Sequence, residues 1–548
     1  MKLIVGIDFG TSTTVVRYKE EGTNNIKAIK DADGRSDIIP SVIFRHTDNG
    51  PTEYGVRALT AAESHVQGTA ITNFKMDLLD ARKREGAKNL IEEYLKYIYS
   101  LFKEQTKHLY PTSTDIYISY PAKWDDSMAQ IMKDAVANAG FKGNIKGIKE
   151  PEAAIRNILC NHLKDLQRTK LLGTDRPLRI LVLDMGAGTT DISLFKVTID
   201  KEGTPHLTEP LTYPSREEVI LCGGREIDLA LQDYLIRYCK EKGVEIIADA
   251  VDLIEVKRWK ETAVSNNLKQ EKPATLLSSL ALLLKFSGRN DIVNAFSIDR
   301  KDFESATKDH WEKLYSLIKS AISQYKYADA EDFDFVCLTG GHSAWYTVPK
   351  LFNGEGVCDF IAEDGKEDAL DFKKLKDDPW RVTAINDTLP HESVARGLCL
   401  MDQKIIYETS SSNNVWAKIT VNNDEGDIVQ VVNKLDDVLP VEKNLSYNTT
   451  IQRNHVLGKL GVEMQIDIYE GETLENAEHR VLKMNQYAGN IISRLILALF
   501  VFPLFMQLGI DISVGVKMKM TEEGILEIDG EFKLDNNNSY KFTYDDFN

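Results

Sequence analysis

The sequence predicts an α/β fold over about the first 400 residues, followed by a region built from β-strands. Short apolar runs that end at Gly, Pro or Asp alternate with helical stretches as far as Met401. Beyond that residue, strand-like runs separated by turns replace the alternation. One phrase also occurs twice at equivalent places in the first region, which predicts that this region has two related halves.

The elements of the first region follow from apolar periodicity. Short apolar runs of the kind that suits buried strands are Leu3–Ile7, Ile116–Ser119, Ile180–Leu183 and Phe335–Leu338. The helical stretches between them are Ala87–Phe102, Ser127–Ala139 and Ile227–Lys240. Strands that alternate with helices in this way predict the α/β class.

The region after Met401 has a different character. The polar, turn-rich segment from Tyr407 to Asn414 predicts a linker. Turn residues at Asn422–Gly426 and Thr521–Gly524 predict hairpins between neighbouring strands. The predicted strands are Ala417–Val421, Ile428–Val432, Glu463–Tyr469, Asp511–Met518 and Ile525–Ile528. We therefore predict a first domain over residues 1–402, a linker over 403–414 and a β-rich domain over 415–548.

The composition excludes several kinds of partner and site. With a formal net charge of −17, the chain has no field that would attract nucleic acid or an anionic membrane. Its six cysteines form no CxxC pair, and its ten histidines show no HxxxH or HExxH spacing. Neither a zinc site nor a redox motif is therefore indicated. Scattered single cysteines are typical of a reducing compartment, so we expect a cytoplasmic protein.

Two apolar segments bear on membrane association. The first apolar run is interrupted by Asp8 too early for a signal peptide. The second, Leu495–Met506, is too short to span a bilayer and is broken by Pro503. We expect a buried strand or helix there, with a membrane-surface or partner contact as the alternative, and no membrane span.

The repeated phrase predicts a polyphosphate site. It runs from Ile7 to Thr14 and again from Leu183 to Thr190, each time with Asp, then Gly two residues on, then paired threonines. A strand-like run follows each copy, so each copy is predicted at the turn of a β-hairpin. Glycines let backbone N–H groups approach phosphate oxygens closely, and threonine hydroxyls add neutral donors. Two such hairpins that face each other could clamp a polyphosphate from both sides.

The aspartates of the two copies predict a metal ion. Asp8 and Asp184 would repel a triphosphate unless a cation intervened, so they imply Mg²⁺ held largely through waters. The alternative is that both copies are ordinary hairpins with no ligand. A single copy would leave that alternative open, but two copies in equivalent contexts favour the polyphosphate site. The sequence contains no GxxxxGK[ST] loop and no dinucleotide-binding fingerprint.

Motifs in the same order over nearly the whole chain resemble those of the heat-shock protein 70 family, within the actin, hexokinase and chaperone ATPase superfamily. The matching segments are Ile4–Thr11, Asn73–Lys75, Ile118–Ala122 with Asp134-Ala135 and Ala139-Gly140, Lys149–Ala154, Asp184–Asp191, Gly223–Asp228, Leu338–Gly341 and Glu392–Gly397. The resemblance implies a two-lobed actin-like ATPase domain with ribonuclease H-like halves. It also implies ATP or ADP with Mg²⁺, and K⁺ is a further candidate ion.

The resemblance assigns roles to individual residues. Lys75 would neutralise charge on the γ-phosphate, Glu150 would orient the attacking water, and Asp184 would share that task. Asp8 and Asp184 would hold Mg²⁺ through waters. The implied catalytic residues are Lys75, Glu150, Asp184 and Thr189. The implied nucleotide-binding residues are Asp8, Gly10, Thr11, Ser12, Thr13, Gly186, Ala187, Gly188, Thr190, Gly223, Gly224, Lys260, Glu261, Gly340, Gly341 and His342.

The C-terminal region resembles the family's peptide-binding β-sandwich. The matching segments are Ile428–Asn448, Gln465–Glu472 and Asp511–Ile528. An extended client would bind such a sheet by main-chain hydrogen bonds and an apolar pocket. The implied partners are an unfolded peptide or protein client and co-chaperones, namely a J-domain protein and a nucleotide exchange factor. A β-domain with a purely structural role is the alternative.

The sequence departs from the family pattern at several places. No helical bundle follows the predicted sandwich, so we expect a divergent, lidless member whose clients dissociate faster. The family's apolar interdomain linker is not recognisable at Gln403–Tyr407, and Ala129 stands where the family has an arginine. The loop Gly341–Trp345 runs longer before Pro349. Leu495–Met506 could cover the client groove in place of a lid.

Four functions remain open on the sequence alone. The leading interpretation is a chaperone-type ATPase whose nucleotide state controls affinity for an unfolded peptide or a partner protein. The second is a nucleotide-gated regulatory protein with one specific folded partner. A small-molecule kinase of the same superfamily is the third, and the appended β-region gives no reason to expect it. A filament-forming protein is the fourth, and the acidic charge and the appended domain make it less attractive.

Overall fold

The structure is a computed structural model, and it describes residues 1–548 except those numbered 49, 65, 169–171, 173–176, 214–220, 248–250, 325–332, 354–389, 409–412, 434–436, 453–460, 472, 488–508, 522–525, 535–537 and 546–548. Contacts within the chain divide it into two units. The first unit is Met1–His206 with Leu211–Ile406, and the second is Leu207–Pro210 with Tyr407–Asn548. The predicted boundaries at 402 and 415 stay a prediction. The apolar segment Leu495–Met506 lies outside the described residues.

The first region contains strands and helices in alternation. Its strands are β1 (Lys2–Phe9), β2 (Thr13–Glu20), β3 (Lys27–Ala28), β4 (Ile38–Pro40), β5 (Ile43–His46), β6 (Glu53–Tyr54), β7 (Gly68–Ile71), β8 (Ser113–Tyr120), β9 (Asn144–Lys149), β10 (Leu178–Met185), β11 (Thr190–Ile199), β12 (Pro205–Tyr213), β13 (Phe335–Thr339) and β14 (Ile406–Glu408). Its helices are α1 (Gly55–Glu63), α2 (Arg84–Gln105), α3 (Asp126–Asn138), α4 (Glu150–Arg168), α5 (Gly224–Glu241), α6 (Leu253–Trp259), α7 (Ser265–Lys269), α8 (Ser278–Phe286), α9 (Asn290–Ala295), α10 (Arg300–Ala306), α11 (Lys308–Gln324), α12 (Thr347–Asn353) and α13 (Ser393–Cys399).

The α/β class is confirmed, and so are the four strands and three helices predicted for this region. The observed ends differ from the predicted ends by at most three residues. Local capping explains one of these ends. The Asp125 carboxylate accepts a hydrogen bond from Met128 N at 2.9 Å and so satisfies a first-turn donor of α3.

The first unit has two halves that repeat one sheet pattern. In the first half, β1 pairs antiparallel with β2 and parallel with β8, within the order β3-β2-β1-β8-β9. In the second half, β10 pairs antiparallel with β11 and parallel with β13. We call the part that carries β1–β9 the first half and the part that carries β10–β13 the second half. The prediction of two related halves is confirmed at the level of these strands.

Apolar strands are buried because helices cover them. Leu3, Val5, Ile7 and Phe9 of β1 join a buried cluster with side chains of α2 and α3. A small sheet in the order β6-β5-β7 packs against α1 in the same half.

Two helices meet closely beneath the first sheet. A Cβ added at Gly397 of α13 would lie 1.7 Å from the carbonyl oxygen of Ala153 on α4. Only glycine fits this contact, which lets α13 and α4 pack closely against each other. Glu150 is the first residue of α4.

The second unit is rich in β-strands. They are β15 (Asn414–Val421), β16 (Asp424–Glu425), β17 (Val429–Val432), β18 (Val441–Gln452), β19 (Gly461–Gly471), β20 (Glu478–Tyr487), β21 (Gly509–Met520), β22 (Leu526–Leu534) and β23 (Asn538–Asp545). They form two antiparallel sheets in the orders β16-β15-β19-β20, with β17 also paired to β15, and β18-β21-β22-β23. Buried side chains of both sheets, such as Val415 and Val514, belong to one hydrophobic cluster.

One predicted hairpin of this unit is confirmed by its turn. Val421 pairs with Asp424, and the two intervening residues have positive φ angles of 46° at Asn422 and 71° at Asn423. Such a turn matches the twist of the flanking strands, and asparagine tolerates the conformation well. In the described part of the chain, no helix has both the length and the apolar character that crossing a membrane requires.

Candidate functional site

The two copies of the repeated phrase form equivalent turns. Gly10 N donates to the carbonyl oxygen of Thr13 at 2.9 Å, and Gly186 N donates to that of Thr189 at 3.0 Å. The first turn joins β1 to β2 and the second joins β10 to β11, so both predicted hairpins are confirmed. Both turns line the same cavity, which has a volume of about 480 Å³. This volume lies within the range of about 300–1,000 Å³ that is usual for small-molecule sites.

The structure brings most of the predicted site residues together in this cavity. Those that line it are Asp8, Gly10, Thr11, Ser12, Thr13, Lys75, Glu150, Asp184, Gly186, Ala187, Gly188, Thr189, Gly224, Lys260, Glu261, Gly340, Gly341 and His342.

Two predicted residues, Thr190 and Gly223, are not part of this lining. Thr190 is buried, and its hydroxyl donates to the carbonyl oxygen of Cys222 at 2.5 Å. At Gly223, an added Cβ would lie 2.8 Å from the carbonyl of Ala187. Both residues therefore contribute to the structure around the second hairpin turn rather than to the lining of the cavity.

Three carboxyl groups crowd one end of the cavity. Burial and the charge of Glu150 raise the pKa of Asp8 to about 7, although Ser119 Oγ donates to its Oδ1 at 2.7 Å. Burial, Glu150 and Asp8 together raise the pKa of Asp184 well above its usual range. Asp8 is thus among the charges that act on Asp184, and both side chains line the same cavity. A bound divalent cation would relieve this repulsion.

The donor set fits an ion that keeps water or phosphate ligands. Among the described residues, no group of three or more His, Cys, Asp or Glu side chains is placed to hold a metal ion by itself. Mg²⁺ is commonly bound through one or two carboxylates, with waters and substrate phosphates completing its shell. The pair Asp8 and Asp184 matches that requirement.

Lys75 supplies a positive charge among the carboxylates. Its side chain is 4% exposed, and its Nζ donates to Glu150 Oε1 at 2.9 Å. The ammonium also lies 5.8 Å from the ring centre of Phe9 and 5.5 Å from that of Trp124. Packing and pairing hold this cation at the wall of the cavity.

The loop after β13 brings backbone to the cavity. Gly340 has a φ of +78°, and an added Cβ there would lie 2.3 Å from the carbonyl oxygen of Met185. Only glycine accommodates both conditions. At Gly341 and at Gly188, by contrast, an added Cβ would meet no protein atom within 4 Å. Packing does not require glycine at these two positions, and their small size leaves room for a ligand.

His342 rests on a partner that sequence reasoning missed. The Nε2 atoms of His342 and His310 lie 2.8 Å apart, and the His342 ring stacks on Trp311 with centres 5.9 Å apart. Burial lowers the pKa of His310 to about 3 and that of His342 well below its usual range, so both rings are neutral. One ring donates and the other accepts. No motif spacing links the two residues, and the fold alone brings them together.

Lys260 lies in an unusual helical turn. The segment Lys260–Val264 between α6 and α7 is a π-helix, a form that often occurs at functional sites. Lys260 Nζ lies 2.7 Å from Asp228 Oδ1 and donates to the carbonyl oxygen of Gly224 at 2.9 Å. Glu261 lines the cavity beside it. Asp228 was quoted within a motif, but its pairing with Lys260 was not predicted.

Other lining residues were also missed. Lys123 and Trp124 follow directly after the quoted segment Ile118–Ala122, and Trp345 lies just beyond His342. Lys123 Nζ lies 3.2 Å from Asp191 Oδ1, the carboxylate that closes the second repeated phrase. Position next to a motif was the only sequence signal for these side chains.

Comparison with known proteins gives one consistent result. A family model described as Hsp70 protein matches residues 92–353. Chaperone protein DnaK of Burkholderia cenocepacia (strain HI2424) is 26% identical over 403 residues, which cover 67% of this chain and 56% of that protein. Chaperone protein DnaK of Endomicrobium trichonymphae is 26% identical over 361 residues, or 64% of this chain and 53% of that protein.

The matches cover little more than half the length of these relatives. They nevertheless agree with the order of the motifs and with the α/β sheets of the first unit, which fit an actin-like ATPase. On these grounds the chain is similar to members of the heat-shock protein 70 family, and the comparisons support a relationship to that family.

Proposed function

We propose that the protein is an ATP-hydrolysing, chaperone-like protein whose nucleotide state controls its binding of unfolded peptide or a partner protein. One observation carries the proposal. Two equivalent hairpin turns line a single cavity together with Asp8, Asp184, Glu150 and Lys75. This set offers backbone donors for phosphates, carboxylates for a metal ion and a buried ammonium for the reacting phosphoryl group.

A bound nucleotide would place its phosphates at one end of the cavity and its adenosine at the other. At one end, Asp8 and Asp184 would hold Mg²⁺ through waters, and Thr11 and Thr13 of the first turn and Thr189 of the second would contact the phosphates. At the other end, the loop of Gly340, Gly341 and His342 and the segment with Lys260 and Glu261 contact the adenosine. The magnesium ion, when bound, neutralises phosphate charge. K⁺ is a further candidate ion of this site.

Hydrolysis depends on positioning and charge more than on covalent chemistry. Lys75 neutralises the charge that develops on the γ-phosphate. Glu150 accepts a hydrogen bond from Lys75 at 2.9 Å, so its carboxylate is held at the wall of the cavity. From there it orients the attacking water, and Asp184 shares that task.

Client binding is assigned to the second unit. Its two antiparallel sheets supply the strands of a peptide-binding β-sandwich, where an extended segment would add main-chain hydrogen bonds to a sheet edge. A J-domain protein and a nucleotide exchange factor are the proposed co-chaperones. We place the protein in the cytoplasm, which agrees with the five free cysteines of the described residues.

The test is ATP turnover with and without unfolded peptides of unrelated sequence. The wild type should hydrolyse ATP, and several unrelated peptides should change its rate. Lys75→Ala and Glu150→Ala should still bind nucleotide but lose hydrolysis. Lys96→Ala, on an exposed part of α2, is the matched control and should keep the wild-type rate.

Two results would count against the proposal. If no phosphate were released under any condition, the proposed ATP hydrolysis would be refuted. A rate that responds to one folded partner, and to no unfolded peptide, would favour a nucleotide-gated regulatory protein instead.

A further inference from the structure

A second buried ammonium faces the cavity beside Lys75. Lys123 follows β8 directly, its side chain is 6% exposed, and it lines the same cavity. Its Nζ lies 3.2 Å from Asp191 Oδ1 on β11, whose side chain is 8% exposed. The ion pair therefore joins the first half of the unit to the second at the wall of the cavity.

The pair leaves hydrogen-bonding capacity unused. In the part of the chain that the structure describes, neither Lys123 Nζ nor Asp191 Oδ1 has a hydrogen-bond partner beyond their mutual contact at 3.2 Å. An ammonium has three N–H donors, and burying them without acceptors is costly. The two other buried lysines of the lining differ in this respect, because Lys75 donates to Glu150 and Lys260 donates to Gly224.

Neighbouring charges place Lys123 at the carboxylate end of the cavity. After burial and Lys123 itself, the charges that act on the pKa of Asp191 are those of Glu150, which raises it, and Lys75, which lowers it. These are the residues that the proposed function assigns to the γ-phosphate.

We propose that Lys123 is a second phosphate-binding cation, which turns from Asp191 to the terminal phosphate of a bound nucleoside triphosphate. The inference rests on the proposed function, since it needs a nucleotide in this cavity. A charge-assisted hydrogen bond to the γ-phosphate is available with a triphosphate and not with a diphosphate. Lys123 would therefore make the site prefer ATP over ADP.

The competing explanation is a purely structural ion pair that holds the two halves together. A pair of variants separates the two explanations. Asp191→Asn removes the carboxylate and leaves the ammonium, whereas Lys123→Met with Asp191→Asn removes both charges without leaving either one unpaired. Thermal unfolding without nucleotide checks that each variant folds, and Lys123→Gln with Asp191→Asn serves as a second double variant if methionine prevents folding.

The measurement is calorimetric binding of ADP and of the non-hydrolysable triphosphate adenylyl imidodiphosphate, each with magnesium, to the full chain. The ratio of the two affinities is the readout. We expect the double variant to lose triphosphate preference by about tenfold to a hundredfold relative to Asp191→Asn. Lys123→Arg, which keeps the charge, should retain most of the preference.

The outcomes are distinguishable. Equal affinity ratios in the double variant and in Asp191→Asn would overturn the phosphate role of Lys123 and leave the structural ion pair. Failure of the wild type to bind either nucleotide would instead overturn the proposed function, and this inference would fall with it.

Discussion

Removal of the Lys75 ammonium tests both the stability and the chemistry of the site. Its side chain is 4% exposed and that of Glu150 is 12% exposed, and the two are joined at 2.9 Å. Lys75→Met leaves the Glu150 carboxylate without its cation, beside Asp8 and Asp184. Breaking a buried pair by removing one partner costs about 3–5 kcal/mol. We expect the free energy of unfolding of the nucleotide-free protein to fall by about that amount.

A double variant separates the charge effect from lost packing. Lys75→Met with Glu150→Gln no longer contains an unpaired charge, so it should recover most of the lost stability. The assay is urea or thermal unfolding of the wild type, both single variants and the double variant, without metal or nucleotide. In parallel, Lys75→Met should reduce ATP hydrolysis by about 10²–10³-fold, as expected for loss of a group that stabilises transition-state charge. Magnesium–ADP binding should persist.

Two results would refute this reasoning. If the double variant were as unstable as Lys75→Met, lost packing against Phe9 and Trp124 would explain the effect rather than charge. If Lys75→Met hydrolysed ATP at the wild-type rate, the ammonium would have no part in the reaction.

Three further predictions follow from other parts of the site. Because the folded state holds the pKa of Asp8 at about 7 against an ordinary 3.8, the folded protein binds more protons than the unfolded chain, and its stability must fall as pH rises. The free energy of unfolding of the metal-free protein should fall by about 1 kcal/mol between pH 6 and 8. The same dependence of stability on pH in Asp8→Asn would refute this prediction. Arg258 on α6 pairs with Glu63 on α1 and so joins the two halves. Because Arg258 is largely exposed, the pair contributes little, and Glu63→Gln should speed nucleotide release by only about twofold to fivefold in stopped-flow measurements. An unchanged release rate would contradict this prediction. Gly340→Ala forces a Cβ against a carbonyl oxygen at a φ of +78°, so unfolding measurements should show a loss of about 1–3 kcal/mol, whereas wild-type stability would show that the loop adapts.

Local sequence specified the parts of the site that depend on local geometry. An apolar strand, an Asp-x-Gly turn and paired threonines are contiguous, so both hairpin turns could be predicted with Asp8 and Asp184 at their starts. The strands β8 and β13 could be predicted from short apolar runs, whereas their parallel pairing with β1 and β10 could not. The fold class was predictable for a similar reason, since the order of apolar patterns in the sequence shows the alternation of strands and helices.

Pairings between distant residues could not be predicted in the same way. Lys123 and Asp191, or His310 and His342, carry no spacing signal, because only the tertiary fold brings them into contact. Burial of a lysine or a histidine is also invisible in a residue pattern, since the same residue type is more often exposed. The π-helical turn at Lys260 likewise depends on packing around it rather than on propensity.

The most direct test of the account is calorimetry of the wild-type chain with ATP, performed once with excess magnesium and once with a chelator. The account predicts one nucleotide bound per chain, with affinity that falls sharply when magnesium is removed, because Asp8 and Asp184 then repel the phosphates. Absence of any adenine nucleotide binding in excess magnesium would contradict it.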